Sequence, residues 1–258
     1  MIDAHVFIGP SLYDNSLEPR ELLATMERLG VQAAVVRPLK PPDFDLDLAN
    51  RRVSELQARE PRLVGFARVN PLEREAPDQA RRAVEEYGLK GLHLHPWEEN
   101  FQVDGQKVDR VIEALEGRVP VYVSAGFPVV SHPLQVQDLA ERHPGTLFIA
   151  AHGGQQDNSG MSFDDSLLVA RETPNVLFDV AGVYRRDFIE LLVEQAGPQR
   201  VLFGSCTPYM DMALEIVRIR ATHLSDETKA KILHGNIARL LGLDDQERFV
   251  DSPPAGGK

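Results

Sequence analysis

Polar side chains with proton-transfer or metal-binding chemistry recur in this chain where its predicted β-strands end. Imidazole and thiol groups can move protons, attack carbonyl carbons or bind soft metal ions. Five of the eight polar residues at these ends are histidine or cysteine: His5, His93, His95, Ser124, His152, Asp179, Ser205 and Cys206. This clustering predicts a site for acid/base, nucleophilic or metal chemistry wherever the strand ends meet.

Two of these residues are the candidate catalytic groups. His152 is predicted to be the general acid/base, because an imidazole that is neutral near pH 7 suits that role. Cys206 is a candidate nucleophile if a neighbouring histidine lowers the pKa of its thiol. A lone buried cysteine is more often a small apolar residue, so both interpretations of Cys206 stay open.

Five other residues are predicted to bind substrate. Side chains two positions apart in a strand share a face, so His5 and Phe7 point the same way, as do His93 and His95. His5 is predicted to line the pocket and Phe7 to fill the barrel mouth. For His93 and His95 a pocket role and a structural role are equally open. Ser124 can donate a hydrogen bond to a substrate oxygen or simply fill space. Asp179 can orient a histidine.

The elements that must position these residues alternate regularly between strand and helix. Strands are predicted at 1–7, 31–36, 63–69, 89–95, 119–124, 147–152, 176–180 and 201–205. Helices are predicted at about 19–29, 46–59, 76–87, 108–115, 134–142, 163–171, 187–195, 210–220, 226–233 and 236–241. Alternating elements favour a parallel α/β sheet, and eight units in this length are typical of a (β/α)8 TIM barrel.

The whole pattern predicts a single barrel domain over 1–243 and a loose polar tail over 244–258. An open doubly wound sheet is the alternative fold, but Gly9-Pro10-Ser11 is not the glycine-rich phosphate loop that often follows its first strand. The active site of a TIM barrel lies at the carboxyl ends of its strands, where the polar residues above are found. The loop over 153–162 is either a lid or a tolerated insertion.

Composition narrows the class of protein. The chain has 258 residues, 43% of them hydrophobic and 26% charged, which is ordinary for a globular domain. A formal net charge of −11 argues against nucleic acid or anionic membrane as a partner. One cysteine excludes an intramolecular disulfide. With no signal peptide and no apolar run near the ~20 residues of a membrane span, we expect a cytoplasmic protein that binds a small molecule. Homo-oligomer formation is left open.

Six segments of the chain resemble the amidohydrolase-related family, a branch of the amidohydrolase superfamily that includes decarboxylases and lactonases. They are IDAH at 2–5, GLKGLHLHP at 88–96, VPVYVSAG at 119–126, AHGG at 151–154, VLFGSCTP at 201–208 and ILHGNIARLLGL at 232–243. Their order and spread over the chain match the family. The resemblance implies a metal-dependent hydrolase barrel whose chemistry is hydrolysis or decarboxylation of a small carboxylated or cyclic substrate.

The same resemblance implies five metal-site positions, three of which are substituted in this chain. His5 and His152 are kept, whereas Phe7 replaces the second histidine of the first strand. Ser124 replaces the histidine of the fifth strand, and Cys206 replaces the general-base aspartate. A phenylalanine cannot ligate a metal, and serine is a poor zinc ligand.

The substitutions favour loss of the metal over a remodelled site, although His5, His152 and Cys206 together form an acceptable zinc ligand set. The cofactor prediction is therefore either none or a single divalent metal ion such as zinc. The resemblance also implies that loss of ligands does not exclude catalysis, because some members of the wider superfamily hydrolyse lactones without metal. A non-catalytic barrel that binds a small molecule or a protein partner is the alternative function.

Overall fold

The computed structural model describes residues 1–156 and 160–243. The predicted tail over 244–258 and the middle of the 153–162 loop lie outside these residues. The strands are β1 (Ile2–Ile8), β2 (Ala33–Pro38), β3 (Leu63–Gly65), β4 (Ala67–Arg68), β5 (Leu92–Leu94), β6 (Val121–Val123), β7 (Phe148–Ala150), β8 (Val176–Asp179) and β9 (Val201–Leu202). β3 and β4 are two halves of one extended segment that is interrupted at Phe66.

Helices follow most of these strands, and the longer ones bury one face. They are α1 (Pro19–Leu29), α2 (Leu46–Arg59), α3 (Ala76–Glu85), α4 (Pro96–Glu99), α5 (Gln106–Leu115), α6 (Pro133–Arg142), α7 (Phe163–Glu172), α8 (Arg186–Ala196), α9 (Met212–Arg220), α10 (Asp226–Ala230) and α11 (Asn236–Leu241). Short helical turns occupy Ala151–Gly154, Pro198–Arg200 and Lys231–Gly235. The chain therefore alternates strand and helix as predicted.

Local chemistry explains the ends of the first two helices. Pro19 stands in the first turn of α1, where its missing N–H costs nothing, and Gly30 ends that helix in a left-handed conformation with φ of 71°. The Asp45 side chain accepts a hydrogen bond from the Leu48 N–H at the start of α2. Both helices have the predicted bounds, because caps of this kind are visible in the sequence.

All strand pairs are parallel and follow chain order. One sheet has the order β1-β2-β3 and the other β4-β5-β6-β7-β8-β9. The two sheets meet at the third strand, where the Phe66 N–H donates to the Val36 carbonyl oxygen at 2.8 Å. At the other seam the Ala4 N–H donates to the Phe203 oxygen at 2.9 Å and the Phe7 N–H to the Thr207 oxygen at 2.7 Å. These bonds join the last strand to the first in the (β/α)8 arrangement.

The barrel interior is layered from bottom to top. An apolar cluster fills the end where the strands begin, and it includes Ile2, Ala33, Phe66 and Leu202 packed with Ile237 of α11. Above this cluster lie buried polar side chains, and above them a small apolar group of Phe7, Leu39, Ala181 and Cys206. The apolar bottom therefore closes one end of the barrel and leaves the carboxyl ends of the strands as its mouth.

Several strands are shorter than predicted, and residues in a left-handed conformation lie beyond the ends of two of them. β7 ends at Ala150, and His152 has a left-handed φ of 59°. β9 ends at Leu202, and Cys206 has a φ of 55°. The predicted loop around Trp97 contains the short helix α4. Turns of this kind carry the site residues over the barrel mouth, where a continuing strand would carry them away from it.

Candidate active site

A cavity of about 390 Å³ opens at the carboxyl ends of the strands. This volume lies within the range of small-molecule sites. Twelve residues line it: Phe7, Tyr13, His95, Trp97, Glu98, Ser124, Phe127, His152, Gln156, Cys206, Tyr209 and Met210. Neither lysine nor arginine stands among these lining residues, and five of them are aromatic rings other than histidine. The cavity therefore suits a flat, largely apolar ligand.

His5 lies beneath the cavity, fully buried, with one ring nitrogen fixed by a carboxylate. Its Nδ1 lies 2.6 Å from Oδ2 of Asp179, and the Tyr122 hydroxyl donates to the same oxygen. Burial lowers the pKa of His5 to about 4, against the opposing effect of Asp179. Burial also disfavours ionised Asp179, but His5, His152 and Tyr122 outweigh it and lower the pKa of that carboxyl. His5 is therefore a neutral imidazole whose Nδ1–H donates to the carboxylate, as predicted for an orienting Asp179.

The other ring nitrogen of His5 has no hydrogen-bond partner. Nε2 is buried, and it must carry the lone pair because Nδ1 carries the hydrogen. Gly204 allows the close packing around this pair, since a Cβ there would stand 2.6 Å from both Asp179 Oδ1 and the His5 Cβ. The structure thus holds a nitrogen lone pair in a fixed position under the cavity.

His152 stands on the cavity wall in the turn after β7. Its Nδ1 lies 2.9 Å from the carbonyl oxygen of Ala181, and a carbonyl can only accept, so Nδ1 carries the hydrogen. Nε2 is then the nitrogen with the lone pair. Burial lowers the pKa of His152 and favours its neutral form. The left-handed turn and the Ala181 carbonyl together fix the orientation of the ring.

Cys206 lies on the same wall, buried and packed in the apolar group with Phe7, Leu39 and Ala181. Burial raises the pKa of its thiol well above the usual value, with the charge of Asp179 adding to the effect. The thiol is therefore protonated near neutral pH. This environment does not activate Cys206 as the nucleophile that the sequence left open.

The remaining predicted residues divide between the wall and the layer beneath it. Phe7, His95 and Ser124 line the cavity, whereas His93 is fully buried under it. His93 Nε2 lies 2.9 Å from the Ser124 hydroxyl oxygen. The Phe7 ring lies 5.2 Å from the His5 ring and 5.3 Å from the His93 ring, measured between centroids. The structure therefore brings all seven predicted residues into two adjoining layers, with five on the wall and His5 and His93 below.

A second wall of the mouth is charged. Arg68, which ends β4, is fully buried and pairs with Glu98 and with Glu99, the latter at 2.6 Å. Glu98 also accepts a hydrogen bond of 2.8 Å from the Tyr209 hydroxyl. His95 Nδ1 accepts from the Glu98 N–H at 3.3 Å and so caps α4. This network holds one side of the cavity in place.

Sequence reasoning missed two buried arginines that shape the site. Arg68 anchors the charged wall, and Arg37 lies within the barrel with its guanidinium 3.8 Å from the Tyr122 ring centroid. Arg37 Nη2 donates to the Ala4 carbonyl oxygen, while its Nε and Nη1 have no partner. Arg37 is the last residue but one of β2, and Arg68 ends β4. The rule that selected the histidines, a polar residue closing a strand, would have found them.

The rim carries a stacked aromatic pair. The Trp97 and Phe127 rings lie 5.1 Å apart between centroids at an interplanar angle of 6°. Trp97 stands on α4 and is 62% exposed. Both rings line the cavity and form an aromatic rim at its opening.

Comparison with known proteins gives the family. The family model described as amidohydrolase matches residues 10–243. This chain belongs to the amidohydrolase family. The match begins after β1, so His5 and Phe7 precede it. No curated protein sequence matches the chain.

Solved structures with the same fold include several decarboxylases. 5-Carboxyvanillate decarboxylase from Sphingomonas paucimobilis has a TM-score of 0.74 and 17% identity, over 94% of this chain and 98% of that one. 2,6-Dihydroxybenzoate decarboxylase in complex with 2,6-dihydroxybenzoate has a TM-score of 0.74 and 17% identity, over 95% and 100%. A dihydroxybenzoic acid decarboxylase from Polaromonas sp. JS666 with bound manganese and 2-nitroresorcinol has a TM-score of 0.71 and 16% identity, over 96% and 99%. These similarities confirm the predicted barrel fold.

A divalent metal is implied by the family, and the donors present decide whether it fits. Among residues 1–156 and 160–243, the one group of three or more side chains that could hold an ion is His5, His152 and Cys206, whose ligand atoms lie within 4.8 Å of one another. Both imidazoles already have Nδ1 anchored and Nε2 bearing a lone pair. The set fits one divalent ion bound by two nitrogens and a sulfur.

The same part of the structure contains no helix long and apolar enough to cross a membrane.

Proposed function

We propose that this amidohydrolase hydrolyses or decarboxylates a small planar cyclic substrate, with His152 as its acid/base group. The observation that carries the proposal is the fixed His152 ring on the wall of an aromatic-lined cavity, with Nδ1–H committed to the Ala181 carbonyl. The substrates of the similar decarboxylases, 5-carboxyvanillate and 2,6-dihydroxybenzoate, are planar rings that carry a carboxylate. They support this substrate class for the present cavity.

Ring binding follows from the walls of the cavity. Phe7, Phe127 and Trp97 offer faces and edges for offset stacking, which adds about 0.5–1.5 kcal/mol per aromatic pair beyond the area buried. No arginine or lysine lines the cavity, so a ligand carboxylate must be held by neutral donors or by an ion. The Ser124 hydroxyl stands on the wall as one such donor.

Proton transfer is assigned to Nε2 of His152. In hydrolysis the neutral imidazole takes a proton from the attacking water and returns it to the leaving oxygen. In decarboxylation the protonated imidazole delivers its proton to the ring carbon from which carbon dioxide departs. The Ala181 carbonyl stabilises both forms by keeping Nδ1–H bonded. Proton transfer by a positioned side chain contributes about 10²–10⁴-fold to rate.

A divalent ion such as zinc would be held by His5, His152 and Cys206, where it would supply a Lewis acid. It would also occupy Nε2 of His152, so the proton transfer assigned to that nitrogen belongs to the metal-free protein. The chain's own residues orient both imidazoles whether or not an ion is bound. Asp179 orients His5, the Ala181 carbonyl orients His152, and the aromatic walls exclude water from the ligand.

Turnover of a defined substrate panel tests the proposal. Purified protein is assayed, with chelator and with added metal, on lactones, aryl esters and hydroxybenzoic acids. We expect at least one class to turn over, and His152→Gln to lower kcat by about 100-fold or more without unfolding the chain. The matched control is His223→Gln, whose side chain is 72% exposed.

Absence of turnover across the panel, or a His152→Gln enzyme as active as the control, contradicts the proposed function. Tight binding of a ring ligand without turnover indicates instead a non-catalytic barrel that binds a small molecule.

A further inference from the structure

We infer that His5, His152 and Cys206 form a site selective for a soft divalent ion of the zinc class over manganese, and that an ion there occupies the proton-transferring nitrogen of His152. The second half rests on the proposed function. An ion would then suppress the reaction of the cavity, the reverse of its role as an activator in a metal-dependent hydrolase.

The first observation is the way both imidazoles are anchored. Histidines that bind metals almost always donate their other ring N–H to a carboxylate or a backbone carbonyl. His5 donates Nδ1–H to Asp179 at 2.6 Å, and His152 donates Nδ1–H to the Ala181 carbonyl at 2.9 Å. Both partners leave Nε2 as the ligand atom and fix the direction of its lone pair.

The second observation is an unsatisfied buried nitrogen. His5 is fully buried, and its Nε2 has no partner. A buried polar atom without a partner destabilises the folded state, because it has lost its hydrogen bond to water. An ion that accepts the lone pair removes this cost, and the Cys206 sulfur and a nitrogen of His152 both lie within 4.8 Å of the His5 ligand atom.

The spacing requires little movement. Zinc bonds to nitrogen and sulfur are about 2.0–2.3 Å long, which places tetrahedral ligand atoms ~3.5 Å apart. Three protein ligands leave the fourth position open, and His152 and Cys206 both line the cavity from which a fourth ligand would enter. On binding, the S–H bond breaks, a sulfur–metal bond forms and the thiol proton passes to the buffer.

The donor set determines which ion is favoured. Thiolate and imidazole suit zinc, whereas manganese prefers carboxylate, carbonyl and water ligands. No carboxylate belongs to the group, because Asp179 is occupied by His5 and Tyr122. Phe7 and Ser124, at the positions where the family resemblance implies histidines, add no strong donor.

A proton and a metal ion compete for the same lone pair on Nε2 of His152. His152 has a single nitrogen that can accept a proton, because Nδ1 already carries a hydrogen bonded to Ala181. An ion on Nε2 excludes a proton from the same atom. The two uses of His152 are therefore mutually exclusive.

Metal titration of chelator-treated full-length protein tests the site. Zinc and manganese are titrated separately by calorimetry, and cobalt is added as a spectroscopic probe. We expect one zinc per chain, manganese bound at least 100-fold more weakly, and a sulfur-to-cobalt charge-transfer band that Cys206→Ser abolishes. His152→Gln should weaken zinc binding at least 100-fold, and the His223→Gln control should bind as the unsubstituted protein does. Zinc binding unchanged by Cys206→Ser and His152→Gln, or no stoichiometric zinc, overturns the site.

Nitrogen NMR of histidine-labelled protein tests the occupied lone pair independently of turnover. We expect the Nε2 resonance of His152 to shift strongly on zinc addition while Nδ1 stays protonated. An unshifted Nε2 overturns the shared use of His152. Where turnover is found, added zinc should abolish it and chelator restore it; turnover that rises with zinc overturns suppression. Failure of the substrate panel contradicts the proposed function alone, because titration and NMR need no substrate.

Discussion

The two walls of the barrel mouth are both buried, yet they hold polar groups in opposite ways. The neutral wall consists of His152 and Cys206 with His5 beneath them, and its nitrogens carry lone pairs. The charged wall consists of Arg68, Glu98 and Glu99, whose opposite charges pair directly. Paired charges hold a structure in place, whereas a fixed lone pair beside a cavity is available for chemistry. The difference assigns reactivity to the neutral wall and support to the charged wall.

The largest expected effect is on the stability of the charged wall. Arg68→Met removes the buried cation and leaves the Glu98 and Glu99 carboxylates without it. Breaking a buried ion pair in this way costs about 3–5 kcal/mol. We expect chemical denaturation to show a loss of this size. The control Arg81→Met removes an exposed pair with Asp78 and should cost about 0–1 kcal/mol. Equal losses in the two variants would show that the charged wall does not support the mouth.

The neutral wall can be disturbed without touching its reactive atoms. A Cβ at Gly204 would stand 2.6 Å from Asp179 Oδ1 and from the His5 Cβ, so Gly204→Ala forces the anchored pair apart. Overpacking of this kind costs about 1–3 kcal/mol. We expect that loss in denaturation, together with at least tenfold weaker zinc binding. Gly235→Ala is the matched control, because a Cβ there meets nothing within 4 Å. If Gly204→Ala binds zinc as tightly as Gly235→Ala does, the Asp179 anchor is not required for the site.

A smaller effect is expected at the rim that joins the two walls. Trp97→Ala removes one of the aromatic side chains that line the cavity and on which a planar ring could stack. An aromatic pair of this kind contributes about 0.5–1.5 kcal/mol. We expect the affinity for a planar ring ligand to fall about three- to tenfold, measured by calorimetry. Leu214→Ala, 50% exposed on α9, is the control. Unchanged affinity in Trp97→Ala would place the ring ligand deeper than the rim.

The smallest effect is a pH dependence confined to the charged wall. Burial raises the pKa of Glu99 above 4.5, against the lowering effect of Arg68. The folded state then binds a proton more readily than the unfolded state, so this group's contribution to stability falls as pH rises from about 4.5 through the raised pKa. Glu99→Gln should remove that slope from unfolding curves measured across the range. A slope of the opposite sign would mean that the pairing with Arg68 dominates burial.

The barrel could be predicted from the sequence, because the patterns that indicate its strands and helices are local. Apolar strands, helical spacing and caps such as Pro19 and Asp45 depend on neighbouring residues, and the bounds of α1 and α2 follow from them. The short strands did not follow, and neither did the left-handed conformations of His152 and Cys206, which lie beyond the ends of β7 and β9. Such a conformation is set by packing across the mouth, which the sequence does not display.

The residues of the candidate site were predicted from the sequence, but most of their contacts were not. Strand alternation brought His5 and Phe7 to one face, as their ring separation of 5.2 Å confirms. The pairing of Arg68 with α4 joins residues 30 positions apart, and neither end carries a motif. Whether Cys206 is an activated nucleophile also depended on its neighbours in space, which are apolar and do not activate it. The sequence could therefore name the candidate residues, but the contacts between residues distant in the chain required the structure.

A crystal structure of the protein with a planar ring acid or lactone tests the assignment of reactivity most directly. The account predicts the ring between Phe7 and Phe127, with its reacting group about 3 Å from Nε2 of His152. A ligand whose reacting group lies against Glu98 and Arg68, or one bound outside the cavity, would contradict it.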